Sequence, residues 1–249
     1  MIRLIPAQQT AFRYLHHAMK AGNLLALIAP PGRGRTTVLR KLQSELGGSF
    51  VSSKDFIEAS GNRHPLSLEE TLYSSVLAAM EGEDLIFVDD LDLIHDATSS
   101  CHFYPRGNYL ETAILELCEV ALRENKKLIV SSDGAIAVTF AARCFQTSIG
   151  KYSVEDYAAL LEIFTGREQS SKLDVDQIYR FAPKLNAHQF RAACDWLRPD
   201  GEFTTEQFVD YLRSQRLASN VDLGEVQQVD LHDLQGVDDV VRMLEIHIV

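Results

Sequence analysis

An apolar run that breaks into a glycine loop and then opens a helix leaves a chain few choices of fold. Residues 24–37 read "LLALIAPPGRGRTT". The stretch "LLALIA" is short, wholly apolar and bounded by turn residues, which is the pattern of a strand buried on both faces of a parallel sheet. The following "RTTVLRKLQSEL" reads as a helix that stops at Gly47 and Gly48. In such a turn the backbone N–H groups converge and the helix N-terminus adds positive potential, so the turn can cradle phosphate. The phosphate-loop pattern is G-x-x-x-x-G-K-S/T. Here Ala29 takes the first glycine position, and Pro30, Pro31, Gly32 and Arg33 fill the loop. Gly34 keeps the second glycine, Arg35 replaces the lysine, and Thr36 and Thr37 follow. Thr36 stands where a hydroxyl ligates magnesium. Arg35 keeps the charge, but a planar fork is wider and longer than an ammonium. The plain alternative is a strand–helix turn that simply contains proline and glycine.

A second feature makes that alternative less economical. "EDLIFVDDLDLI", residues 83–94, reads as a strand whose apolar residues run into acid. Asp89 and Asp90 then sit at the exposed strand end. Asp89, with Thr36, can hold magnesium through water, and Asp90 can orient or deprotonate an attacking water. A further strand, "KKLIVSSD", ends in Ser131 and Ser132. The Ser132 hydroxyl at that end could sense an outer phosphate, or it could be a turn serine.

Around these motifs strands alternate with helices. "AQQTAFRYLHHAMKA", "LSLEETLYSSVLAAMEG" and "NYLETAILELCEVALREN" have helical spacing, and "SFVSS" reads as a strand. The expected fold class is α/β, a parallel P-loop sheet with helices on both faces. From about residue 152 only helices are read, which predicts a small all-helical lid. The domain expectation is 1–151 for the nucleotide-binding part, 152–215 for the lid and 216–249 for a linker. Trp196 is expected to pack within the lid. A content of 46% hydrophobic and 24% charged residues supports a sizeable core. The formal net charge of −11 argues against a nucleic-acid partner, since polyphosphate binding asks for broad basic surface. The four cysteines lie far apart with no C-x-x-C pairing, which suggests reduced thiols in a cytoplasmic protein. No apolar run reaches bilayer-spanning length, so no membrane association is expected.

These motifs together resemble the AAA ATPase family. "APPGRGRTT" is similar to that family's Walker A loop, "LIFVDDLDLI" to its Walker B strand, and "KKLIVSSD" to its sensor strand. "FQTSIGKYSVEDYAALLEIF" resembles its last strand and first lid helix, and "APKLNAHQFRAACDWL" its nucleotide-facing lid helix. The resemblance implies ATP or ADP as ligand, Mg2+ as cofactor, and self-association into a ring. The tail "VDLHDLQGVDDVVRMLEIHIV" is similar to a segment leading into a further module, so the chain reads as the first half of a tandem protein.

The departures from the family pattern shape the functional expectation. Ala29 and Arg35 alter the loop, and Asp90 replaces the usual glutamate. Arg143 is the nearest candidate for an arginine finger, and Gln189 or Arg191 for a lid sensor. No aromatic stands in "EASGNRHP", where a substrate-gripping loop would carry one. The reading is an ATP-binding module with weak or no hydrolysis, serving as the ring-forming or regulatory half of a tandem ATPase. The alternatives are an active motor module of a protein-remodelling ring and a DNA-linked loader or initiator. The acidic charge and the lack of a basic helix weigh against the last.

Overall fold

The structure, a computed structural model, describes residues 2–61, 63–99, 107–134 and 136–217. The segment read above as a linker, 216–249, lies almost wholly outside the described residues, and the tail that motivated a second module lies entirely outside them. The strands are β1 (Leu24–Ile28), β2 (Ser49–Val51), β3 (Leu85–Val88), β4 (Lys127–Ser132) and β5 (Phe145–Ser148). They form one parallel sheet in the order β2-β3-β4-β1-β5. Strand β4 therefore lies between β1 and β3, and the carboxyl ends of these three strands come together where the winding direction reverses. Ligands of open α/β sheets bind at such a point.

The helices between the strands are α1 (Pro6–Ala18), α2 (Arg35–Leu46), α3 (Ser53–Ser60), α4 (Leu68–Gly82), α5 (Leu91–Ser99), α6 (Gly107–Arg123) and α7 (Val138–Ala141). Alternation along each strand sends its side chains to two separate cores. Leu25, Leu27, Phe87 and Ile129 pack with α1 and α2 on one face. Leu24, Ala26, Ile86, Val88, Leu128 and Val130 pack with α4, α5 and α6 on the other. Both faces are covered, as the uninterrupted apolar runs require.

After β5 come α8 (Val154–Thr165), α9 (Arg167–Ser170), α10 (Val175–Phe181), α11 (Ala187–Leu197) and α12 (Thr205–Ser214). Their buried residues, including Tyr157, Phe190 and Phe208, continue the core formed by α1, α2 and one sheet face. Capping boxes fix where three of these helices start: Ser153 with Asp156, Asn186 with Gln189, and Thr204 with Gln207. Asp156 also accepts the Ala7 N–H at 2.8 Å, tying α8 to the start of α1.

Three expectations are corrected here. The strand read over residues 83–94 ends at Val88, and Leu91 already begins α5. Asp90 adopts a left-handed conformation, φ 53°, which ends the extended run, and Leu91 and Ile94 then follow helical spacing into the core. "SFVSS" is a strand only to Val51, because Ser52 caps α3 in a box with Asp55. Trp196 is 69% exposed and leans on Tyr211 at a ring separation of 6.0 Å, so it is not interior packing.

Tyr157 joins the helical segments by chemistry as well as by shape. Its fully buried hydroxyl donates to the Ala182 carbonyl at 2.6 Å and accepts the Leu185 N–H at 3.0 Å. Tyr179 and Phe190 meet its ring edge-on at 5.0 and 4.9 Å. Tyr157→Phe keeps the ring contacts and leaves two buried backbone groups unpaired. It should cost about 1–3 kcal/mol in urea unfolding. A loss below the error of the measurement would mean that water replaces the hydroxyl there.

Candidate functional site

Register brings the motif residues together. Ile28 lies opposite Ser132, and Val88 opposite Val130. The Ala29 N–H donates to the Ser132 carbonyl at 3.0 Å, carrying the ladder one residue into the loop. The Ser131 hydroxyl donates to Asp89 Oδ1 at 2.5 Å and accepts the Asp90 N–H at 2.9 Å. One hydroxyl thus holds the first acid and helps to hold the unusual backbone of the second. A left-handed φ is uncommon for a residue with a side chain, though aspartate tolerates it better than most.

Arg35 is the first residue of α2, and its side chain is only 8% exposed. It turns inward. Nη1 donates to the Ala29 carbonyl at 3.0 Å, and Nη2 donates to Asp90 Oδ1 at 2.7 Å. Nη1 also lies 3.3 Å from Asp92 Oδ1. That second approach is attraction without alignment, because Asp92 Oδ1 has no hydrogen-bond partner. The planar fork explains the difference: aimed at the Ala29 carbonyl and Asp90, it cannot also point squarely at Asp92. Burial pushes the Asp90 carboxyl up from its ordinary value of 3.8, and the Asp89 charge adds to the rise while Arg35 opposes it. Burial likewise pushes Asp92 up, again opposed by Arg35.

The loop itself is held from two sides. Gly32 and Gly34 have φ of 78° and 88°, which only glycine adopts freely. A Cβ on Gly34 would collide with the Gln8 amide of α1, and one on Gly32 with the Asn186 side chain of the lid. The Gln8 amide donates to the Arg33 carbonyl at 3.1 Å. From the lid, the Ala187 N–H donates to the Gly32 carbonyl at 2.9 Å, and the Tyr152 hydroxyl donates to the same oxygen at 3.4 Å. These partners use loop carbonyls, and within the loop the Arg33 N–H donates to the Pro30 carbonyl at 3.3 Å. The Arg33 guanidinium lies over the Tyr152 ring at 4.3 Å, with its buried Nη1 lacking a hydrogen-bond partner.

The structure therefore assembles Ala29, Pro30, Pro31, Gly32, Arg33, Gly34, Arg35, Asp89, Asp90 and Ser132 at one end of the sheet. Thr36 is exposed and Thr37 half-buried on the first turn of α2. The Ser132 hydroxyl accepts the Gly134 N–H at 3.2 Å. Gln189 lies in the first turn of α11, and its side-chain oxygen accepts the Asn186 N–H at 3.0 Å in the capping box. Arg191 is exposed and pairs with Asp195 at 3.4 Å. Arg143 is exposed, donates to the Thr139 carbonyl at 2.8 Å, and precedes β5 at the far end of the strands from Ala29. Sequence reasoning did not single out Asp92, Gln8 or Asn186. Asn186 carried a signal, since an Asn three residues before Gln marks a helix start. Asp92 carried none, because the strand was read through it.

The donor set suits phosphate better than a divalent ion. The first N–H groups of α2 have no partner within the helix and border the Gly32–Gly34 turn. Of the acids, Asp89 Oδ1 is bonded by Ser131 and Asp90 Oδ1 by Arg35. Among the described residues no group of three or more His, Cys, Asp or Glu side chains has metal-holding geometry. Magnesium, expected on Thr36 and Asp89, would find there one exposed hydroxyl and a carboxylate with one oxygen already bonded.

No protein-family model matches the chain, and no curated protein sequence does. Solved structures do match. Domain III of the replication initiation protein DnaA from Thermotoga maritima is similar with TM-score 0.55 and 14% identity, over 86% of this chain and 94% of that one. AMPPCP-bound DnaA from Aquifex aeolicus is similar with TM-score 0.58 and 13% identity, over 96% of this chain and 78% of that one. A DnaA bound to AMPPCP and single-stranded DNA is similar with TM-score 0.53 and 12% identity, over 87% and 66%. These likenesses show the fold, a five-stranded parallel sheet flanked by helices and followed by a helical segment, to be one shared with the DnaA structures. They also overturn the expectation that set nucleic acid aside, because this is a fold that replication initiators use, one of them solved on DNA. A net charge is a sum over the surface and does not locate a binding face. Among the described residues no helix is long and apolar enough to cross a membrane.

The buried charge set yields a stability prediction. A carboxyl that titrates higher in the folded than in the unfolded chain adds stability below its ordinary value, and this is lost as pH rises through the raised value. Arg35 opposes that rise for both Asp90 and Asp92. Arg35→Met should therefore destabilise the chain by about 3 kcal/mol at neutral pH, the lower end for breaking a buried pair because Asp90 keeps some solvent contact. The deficit should shrink as pH falls toward 4, followed by denaturant unfolding at several pH values. A deficit that is constant with pH would show that packing, not charge, is lost.

Proposed function

We propose that this chain is an AAA+ nucleotide-binding module that holds ATP or ADP at residues 29–37 and hydrolyses it slowly or not at all. The observation that carries this reading is the bond between Arg35 and Asp90, 2.7 Å long and mostly buried. Phosphoryl transfer to water needs a carboxylate to place the water and a cation to follow charge onto the transferred group. Here the two groups best positioned for those tasks are bound to each other, and the cation is further anchored on the Ala29 carbonyl. Binding asks for less. Backbone N–H groups at a glycine turn and a helix start can hold phosphate oxygens without either side chain.

In this reading bound nucleotide is a structural or regulatory ligand. The module serves a cytoplasmic parent that self-associates into a ring, with residues 216–249 as the linker to a second module. A second reading, a DNA-linked initiator ATPase, draws on the similar structures, one of which holds single-stranded DNA.

Isothermal titration with ATP and ADP, a phosphate-release assay, and anisotropy with labelled single-stranded DNA test these readings on one sample. Nucleotide should bind with Kd between about 1 and 100 μM. Turnover should stay well below about one per second, the lower range of ordinary enzymes. No binding at millimolar nucleotide would overturn the proposal, and turnover at enzyme-like rates would overturn its catalytic half. DNA affinity that falls steeply with salt would favour the initiator reading.

A further inference from the structure

The positive charge that meets the strand-end acids comes from the chain itself. We propose that the Arg35 guanidinium stands in for a divalent cation, so that ATP and ADP bind at this loop without Mg2+. The inference rests on the nucleotide-binding reading and extends it to the ionic requirement of the site.

Three observations carry it. Magnesium needs near-octahedral oxygen ligands at close range and gives up its water reluctantly. One oxygen of each acid that could supply ligands is already bonded, since Asp89 Oδ1 takes the Ser131 hydroxyl and Asp90 Oδ1 takes Arg35. Secondly, Arg35 is fixed rather than free to swing. Moving it would break its bonds to Ala29 and Asp90 and would leave Asp92, 3% exposed, facing no cation. Thirdly, Thr36, whose hydroxyl would complete a metal site, is exposed on α2 and takes no part in the charge cluster. The groups that remain for phosphate are backbone N–H donors, which need no metal to act.

Two measurements on the whole chain decide the matter. In the first, ADP and ATP are titrated into wild-type protein in millimolar Mg2+ and again in EDTA. The two affinities should agree within about threefold, and a preference for Mg2+ above about tenfold would overturn the proposal. In the second, Mn2+ alone is titrated and its free signal followed by electron paramagnetic resonance. Wild type should show no site tighter than about 1 mM, and Arg35→Gln, which releases the acids, should gain one at least about tenfold tighter. Micromolar Mn2+ binding by wild type would overturn the proposal whatever the nucleotide does. If Arg35→Gln does not fold, as judged by circular dichroism, the wild-type titrations decide alone. No nucleotide binding in either buffer, with Mn2+ also excluded, would remove the nucleotide reading and this extension with it. Mg2+-dependent binding would remove only the extension.

Discussion

A buried guanidinium must be paired, and the site is organised around meeting that demand. Arg35 leaves the start of α2 with its side chain largely out of water, so its partners must come from the surrounding backbone and acids. It finds the carbonyl at the end of β1 and the acid that follows β3. The β2-β3-β4-β1-β5 order is what brings those ends within reach, because β4 alone separates β1 from β3. Ser131 at the end of β4 completes the row through Asp89. The loop and the ends of β3 and β4 are thus one connected network rather than three motifs side by side.

Such a network is not a simple gain in stability. Taking an arginine and its acids out of water is costly, and their attraction offsets that cost only with good geometry. Here the geometry is good toward Asp90 and poor toward Asp92, whose Oδ1 has no hydrogen-bond partner. The arrangement fixes position instead. It pins the loop to the β3–α5 junction, where the Asp90 backbone is itself left-handed. A second set of contacts pins the loop to the lid, through Gly32 with Asn186, Ala187 and Tyr152. Neither glycine accepts a side chain, so the loop's shape is dictated by its neighbours on both sides.

Much of the fold was legible because its elements have unambiguous periods. Continuous apolar runs such as 24–29 mean strands covered on both faces, and the 3.6-residue spacing of "RTTVLRKLQSEL" gives α2 as observed. The failures are local and physical. "LDLI" alternates like a strand, and nothing in its composition shows that Asp90 turns the chain into a helix. Ser52, within what read as a strand, forms a capping box with Asp55 just beyond it. Trp196 looked like packing, yet hydrophobicity alone does not say which side of a helix faces the core. The site was legible as a set of positions but not as a set of directions. A motif tells where a cation stands along the chain. Where its side chain goes depended on Asp92, hidden within the misread strand, and on a burial that no local pattern reveals.

The central claim is that Arg35 belongs to the acids and not to the phosphates. A crystal structure of the chain grown with ADP and Mg2+ tests it most directly. Arg35 Nη2 should still lie on Asp90 and Nη1 on the Ala29 carbonyl, with the phosphates held by backbone N–H groups of residues 34–37. A guanidinium swung onto the phosphates, with a magnesium ion between Thr36 and Asp89, would contradict it.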